Sequence, residues 1–213
     1  MGNELEHTYN LSFTAGTLMM NETCAVAEAF IESGHDWETT KERTFKENLM
    51  EKEKLSTIKR VFMLVKQRLK ALNDDELEQL VHGTAAVRRL ILILAICKAH
   101  SLVYDFISQN VRECFFSQSE KVTHANFNEF FNEKRYVHPE LETITDNTVA
   151  KIRQTIFKML EQSELIDSVK TGILRRPYLP EKLEEIIVKD NPKWLAIYLY
   201  SNNEINNARN LYE

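Results

Sequence analysis

Four polar residues, Asn147, Lys151, Gln154 and Lys158, recur at helical spacing between Thr145 and Gln162. At about 100° per residue they share one side of a helix, while Val149, Ile152, Ile156 and Leu160 share the opposite side. Amide side chains can pair bidentately with adenine edges, and lysines can reach guanine or phosphate, so this face suits a helix laid in a major groove. Thr148 extends the face near its start. Lys170, Arg175 and Arg176 flank the Thr171-Gly172 turn signal, where a basic hairpin wing would sit beside the phosphate backbone. A row of exposed lysines is also what an ordinary solvated surface looks like, and spacing alone does not choose between the two.

A second candidate lies in residues 36–72. Two helical patterns joined by a short turn read as a helix-turn-helix, the later one opening at Ser56 and Thr57 and carrying Lys59, Lys66 and Lys70 along one line. Residues 49–72 carry a net charge of +5 in a chain whose net charge is −5, the largest positive island in it. Glu51 and Glu53 in the turn oppose close phosphate approach, and a solvated lysine face is the alternative.

Catalytic patterns are absent from the same sequence. Its five glycines are never closer than 14 positions, so neither GxxxxGK[ST] nor GxGxxG can form, because both need clustered residues without Cβ around a phosphate. HExxH and GxSxG are missing, and no acidic residue stands two positions before a lysine, as a metal-dependent nuclease would have it. Cys97 and His100 could share a helix face as half a metal site. No second Cys/His pair completes four ligands, so Cys97 reads as a small core hydrophobe. No cofactor, no metal and no enzymatic activity are expected. Cys24, Cys97 and Cys114 are odd in number and widely spaced, which fits a reducing compartment.

The elements that would position these residues are helical. With 213 residues, 43% apolar and 28% charged, the chain has the composition of a globular protein. Leu18 to Glu32 reads as a first helix, Asp36 caps a second, Ser56 a third running to Leu72, and Asn73-Asp74-Asp75 forms a connector and candidate cap. Ala85 to Phe116 is apolar on nearly all sides and reads as the central helix, broken near His100-Ser101. A helix around Thr123 to Asn132, a short one opened by His138-Pro139, and one capped by Thr145 or Asp146 follow. The order of helix, short helix, capped helix and hairpin is that of a winged helix-turn-helix. A last helix spans Pro180 to Val188, and the Asn-rich tail from Asn202 is expected to be frayed or partner-bound. A boundary near 117–122 divides an N-terminal helical domain, 1–117, from a C-terminal winged-helix-like domain, 118–213. The longest apolar run, Leu90 to Cys97, is eight residues against the roughly 20 of a membrane span. Met1 to Asn10 carries Glu4 and Glu6 and no basic residue, unlike a secretory signal, so a cytoplasmic location is expected.

Several stretches resemble the BrxA component of BREX (bacteriophage exclusion) defence systems. They are Leu11-Ser12-Phe13-Thr14-Ala15-Gly16, the helix with Lys59-Arg60 and Gln67-Arg68-Leu69, Ala95-Ile96-Cys97-Lys98-Ala99, His138-Pro139-Glu140-Leu141, and the run from Thr148 through Lys151 to Leu160. They span about residues 9 to 190 in order, and none is a catalytic signature. The resemblance implies a mainly α protein without known catalysis that binds double-stranded DNA through modified winged helix-turn-helix elements beside other BREX components, with a helical bundle similar to that of NusB, an RNA-binding antitermination factor. The family has also carried an inner-membrane label, which the eight-residue run opposes. Where relatives often have an Ala-Gly turn after the late helix, this chain has Gln162-Ser163. Duplex DNA is therefore the expected partner, contacted with weak sequence selectivity. A protein-interaction adaptor is the runner-up, RNA binding by analogy with NusB a third reading, and the amphipathic helices permit a homo-oligomer.

Overall fold

The computed structural model describes residues 8–117 and 119–212, which form twelve α-helices. These are α1 (Met20–Glu32), α2 (Trp37–Lys46), α3 (Leu55–Leu69), α4 (Asp74–His82), α5 (Ala85–Ala99), α6 (Ser101–Asp105), α7 (Arg112–Phe116), α8 (His124–Val137), α9 (Pro139–Glu142), α10 (Asp146–Gln162), α11 (Glu181–Asp190) and α12 (Asn202–Tyr212). A π-helical turn, Phe106–Val111, joins α6 to α7, and a 3-10 helix, Pro192–Tyr198, joins α11 to α12. Local chemistry sets several helix starts: Asp36 accepts from the Thr39 N–H, Thr84 from Val87 and Thr145 from Thr148. Thr123 with Asn126 and Asn73 with Glu76 form reciprocal caps.

Helix α5 is the axis of the core. Leu90 to Ile96 are buried around its whole circumference, as expected for a helix apolar on all sides. The chain breaks at His100, whose extended backbone ends α5 and starts α6, so that Ala85–Ala99 and Ser101–Phe116 meet at 116°. No single helix among the described residues is long and apolar enough to cross a membrane. One buried cluster runs from Tyr9 to Ala208, and Phe106 links the halves through Phe127, Phe130 and Phe157, with ring centroids 5.1, 5.2 and 6.3 Å away.

An extended N-terminal segment is locked across this core by one cation. Arg68 of α3 is fully buried, and its guanidinium donates to the carbonyls of Gly16 (3.0 Å), Thr17 (2.7 Å) and Leu18 (3.4 Å). Burial lowers its pKa to about 10, so it stays charged at neutral pH. Upstream, the Tyr9 hydroxyl donates to Asp105 and the Tyr9 N–H to Glu140, and Phe13 packs on His100. A second buried ion cluster ties α4, α5 and α11, with Lys98 2.7 Å from Glu76 and 2.8 Å from Asp190. Burial raises the Glu76 carboxyl even though Lys98 pulls it down.

Four local expectations change. Ser56 is not a cap; Lys54 is the N-cap and Ser56 sits exposed in the first turn. Asn73 is the cap that the sequence suggested, but Asp74 and Asp75 already belong to a full helix, α4, rather than to a connector. The tail is not frayed: α12 forms, with Ser201 and Glu204 capping each other and Arg112 donating to the Tyr200 carbonyl. The hairpin is reduced to two isolated antiparallel bridges, Ile166 with Leu174 and Lys121 with Ile173. Glu4 and Glu6 lie outside the described residues.

Arg68→Met should lower unfolding free energy by about 2–4 kcal/mol in urea titration, since three carbonyls lose their donor, and Arg68→Lys should recover less than half of that. Burial, helped by the Arg68 charge, lowers the His100 pKa to about 4. The folded value lies below the ordinary 6.5, so the unfolded chain binds the proton first; stability is complete above about pH 6.5 and falls toward pH 4 by up to about 3 kcal/mol. Thermal melts across this window should show the loss, and His100→Phe should flatten it.

Candidate nucleic-acid interface

Helix α10 buries Ile152, Ile156, Phe157, Met159 and Leu160 in the common core, which turns the opposite side outward. Asn147, Thr148, Lys151, Gln154 and Lys158 are all exposed. The helices α8, α9 and α10 follow in the order the sequence implies, and Arg135 of α8 fixes the turn before α10 by donating to the Leu141 and Ile144 carbonyls. Thr148 shares a hydroxyl contact of 3.0 Å with the cap Thr145, so its side chain is partly committed to starting the helix. Lys158 is paired with Glu161 one turn on, and Glu161 also accepts from the Val169 N–H, 3.1 Å away. Both bonds hold the Glu161 carboxyl below its usual range. Among the described residues Lys151 forms no salt bridge, and it is the more available cation of the pair.

Beyond α10, Asp167 organises the loop that carries Lys170. It accepts from the Thr171 hydroxyl (2.7 Å) and from the N–H groups of Ser168 (2.7 Å) and Ile173 (2.9 Å). These bonds, led by Thr171, lower its pKa. Gly172 has φ +66°, and a Cβ there would stand 2.1 Å from the Val122 carbonyl oxygen. The segment pairs with two partners: the Val122 N–H donates to Gly172, Leu174 to Glu120, Asp167 to Ile173 and Arg175 to Leu165. Lys170 and Arg175 are exposed. Arg176 is held by Glu204 at 2.7 Å and lies 4.3 Å from the Tyr200 ring centroid, so α12 engages one of the wing arginines.

Between α8 and α10 lies a groove of about 480 Å³ in which Asn128, Asn132 and Asn147 meet Arg135 and Arg153. Arg153 donates to the Asn128 amide oxygen at 2.7 Å. Counting only the side of α10 opposite its apolar stripe misses Arg153 and the α8 amides. The signal for them is the Asn128/Asn132 pair at i, i+4.

Of the second patch, Ser56, Lys59 and Lys66 share one side of α3 with Lys70 at its C-cap, whereas Thr57 lies around the helix from them. Ser56, Lys59 and Lys70 are exposed, Thr57 is half-buried, and half-buried Lys66 lies 5.0 Å from the Trp37 ring centroid. Arg60, Met63 and Gln67 complete the face, and no carboxylate lines the groove of about 460 Å³ beside it. Met63 is 64% exposed at its centre. Cys97 and His100, the half metal site, are both buried in the core, with burial pushing the Cys97 thiol up.

This geometry defines a class: a helical protein with one core and two outward helix faces of amide and basic side chains. The comparisons refine it. The BrxA family matches residues 7–191, and the chain belongs to it. It is 24% identical over 172 residues to the BREX protein BrxA of Escherichia coli O9:H4 (strain HS), covering 81% of this chain and 80% of that one. The BREX protein BrxA of Bacillus cereus (strain H3081.97) is 26% identical over 140 residues, covering 65% and 70%. An uncharacterized protein from Magnetospirillum magneticum shares the fold at TM-score 0.80 and 18% identity, over 91% of this chain and 98% of its own.

Because Gly172 is both left-handed and in close approach to Val122, Gly172→Ala should cost more than about 1 kcal/mol. Hydrogen exchange should show lost protection at the Val122 and Leu174 amides, with the core of α5 unchanged.

Proposed function

We propose that the chain is a non-catalytic, double-stranded DNA-binding accessory protein of a BREX phage-defence system, working in the cytoplasm beside other BREX components. The observation that carries this reading is the outward face of α10, where Asn147, Lys151 and Gln154 are exposed together on a helix whose other side is fixed in the core. Its amides suit base edges, and Lys170 and Arg175 suit phosphates on either side of the groove. Family membership supports the defence context. Residues 118–213 then act as a modified winged helix-turn-helix in a NusB-like bundle, a division of surfaces within one core. Mostly phosphate contacts give weak sequence selectivity and strong salt dependence.

The alternative is a protein-interaction adaptor, favoured by α3, where exposed Met63 sits among Lys59, Arg60 and Lys70, none of which forms a salt bridge among the described residues. A thioether at the centre of a basic face adds apolar contact that phosphates do not use.

Lys151→Glu combined with Lys158→Glu should weaken binding to fluorescent duplex DNA at least about tenfold near 0.1 M salt, and reduce the log–log salt slope by about 2. Lys151→Glu alone should account for most of the loss, because Glu161 already holds Lys158. Unchanged affinity in a folded double variant would remove α10 from the interface. Stronger competition by structured RNA than by duplex would favour an RNA ligand, and a stoichiometric protein complex free of nucleic acid would favour the adaptor.

A further inference from the structure

A cavity of about 490 Å³ lies where the start of α5 meets the chain that leaves the wing. Three arginines, Arg89, Arg175 and Arg176, line it together with one acidic residue, Glu164. Arg89 pairs with Glu164 of the lining at 2.9 Å, and Arg176 is held from outside by Glu204 at 2.7 Å and by the face of Tyr200. Among the described residues Arg175 forms no salt bridge. Glu164 stands in the left-handed region, φ +63°, at the turn after α10, a conformation that glycine or asparagine adopts at lower cost. Its carboxylate nonetheless reaches Arg89, and an exposed pair of this kind is weak enough for a competing anion to displace.

The remainder of the lining is not that of a simple anion site. Val87 and Leu90 are buried in its floor, Pro177 and Pro180 form its side, and Tyr178, 84% exposed, stands at its edge. Inorganic phosphate would use the arginines and leave this apolar and aromatic surface unfilled. The volume falls within the roughly 300–1,000 Å³ typical of small-molecule sites. Arginine forks match phosphate oxygens bidentately, and a flat ring gains most beside tyrosine and proline.

We propose that this cavity binds a nucleoside phosphate, with the phosphate among Arg89, Arg175 and Arg176 and the base against Tyr178 and the proline wall. The ligand comes either as a free nucleotide or as the phosphorylated end of a nucleic-acid strand. Arg175 and Arg176 are shared with the proposed duplex surface, whereas Arg89 and Tyr178 take no part in it, so variants at those two positions test the cavity apart from duplex binding.

Calorimetry and thermal shift with ATP, AMP, adenosine and inorganic pyrophosphate test it on the full chain. ATP and AMP should bind saturably and raise the melting temperature. Arg89→Gln should weaken both at least about tenfold, and Tyr178→Ala should weaken ATP while leaving pyrophosphate unchanged. Glu164→Gly, which frees Arg89 and relaxes the turn, should tighten ATP. The Lys151→Glu, Lys158→Glu variant should bind ATP like the parent chain. A 5′-phosphorylated oligonucleotide that binds at least about tenfold more tightly than its 5′-hydroxyl counterpart would identify a strand end as the source, and equal binding with saturable AMP a free nucleotide. No saturable binding of ATP or AMP up to ~5 mM, pyrophosphate binding as tightly as ATP, or ATP affinity unaffected in a folded Arg89→Gln variant would each overturn the proposal.

Discussion

The guanidinium of Arg68 is the point on which the two halves of this protein depend. It sits where no water reaches and has no carboxylate beside it; its charge is met by carbonyls of Gly16, Thr17 and Leu18. An arginine can do this because its planar fork presents several donors in fixed directions, whereas an ammonium concentrates its charge at one point. The held segment then reaches the other half, where the Leu18 N–H donates to the Gln162 side chain at 2.9 Å, at the end of α10. The basic face of α3 and the amide face of α10 are thus linked by a short segment whose course is set by one buried cation.

The distribution of ion pairs explains how an acidic protein can present basic surfaces. Carboxylates hold many of its cations: Lys52 by Glu22, Arg43 by Glu32 and Glu47, and Lys98 by Glu76 and Asp190. Among the described residues, those that form no salt bridge include Lys59, Arg60 and Lys70 on or just after α3, and Lys151, Lys170 and Arg175 on or beside α10. Bulk charge is therefore a poor guide to the local field, which is set within roughly a Debye length, about 10 Å at 0.1 M salt. The wing lies between these regimes. Arg176 belongs to its basic edge, yet Glu204 of α12 and the Tyr200 ring engage it, so the last helix sets how much positive charge the wing displays.

Much of the fold follows from local signals in the sequence. Asp36, Thr84, Thr123 and Thr145 cap their helices because a short polar side chain one residue before the first turn can accept an otherwise unpaired N–H. The Ser201-Asn202-Asn203-Glu204 motif carries the same information for α12, but an asparagine-rich composition with weak helix propensity masks it. At Ser56 the local rule fails: the helix begins two residues earlier than a Ser56 cap would give, with Lys54 as its N-cap and an exposed Leu55 at its first position, and its buried face starts only at Ile58.

The sequence by itself determined the all-helical class, the central buried helix with its break at His100, and the outward side of α10, because each depends on neighbours within a turn or two. Tertiary structure alone decided that Arg68 would be buried, that the wing would pair with residues 120–122 as well as 165–167, and that Arg89 would meet Arg175 and Arg176 around one cavity. These depend on contacts between groups far apart in the chain. Side-chain periodicity records which face is buried, but it carries no record of what that face, or its opposite, will meet.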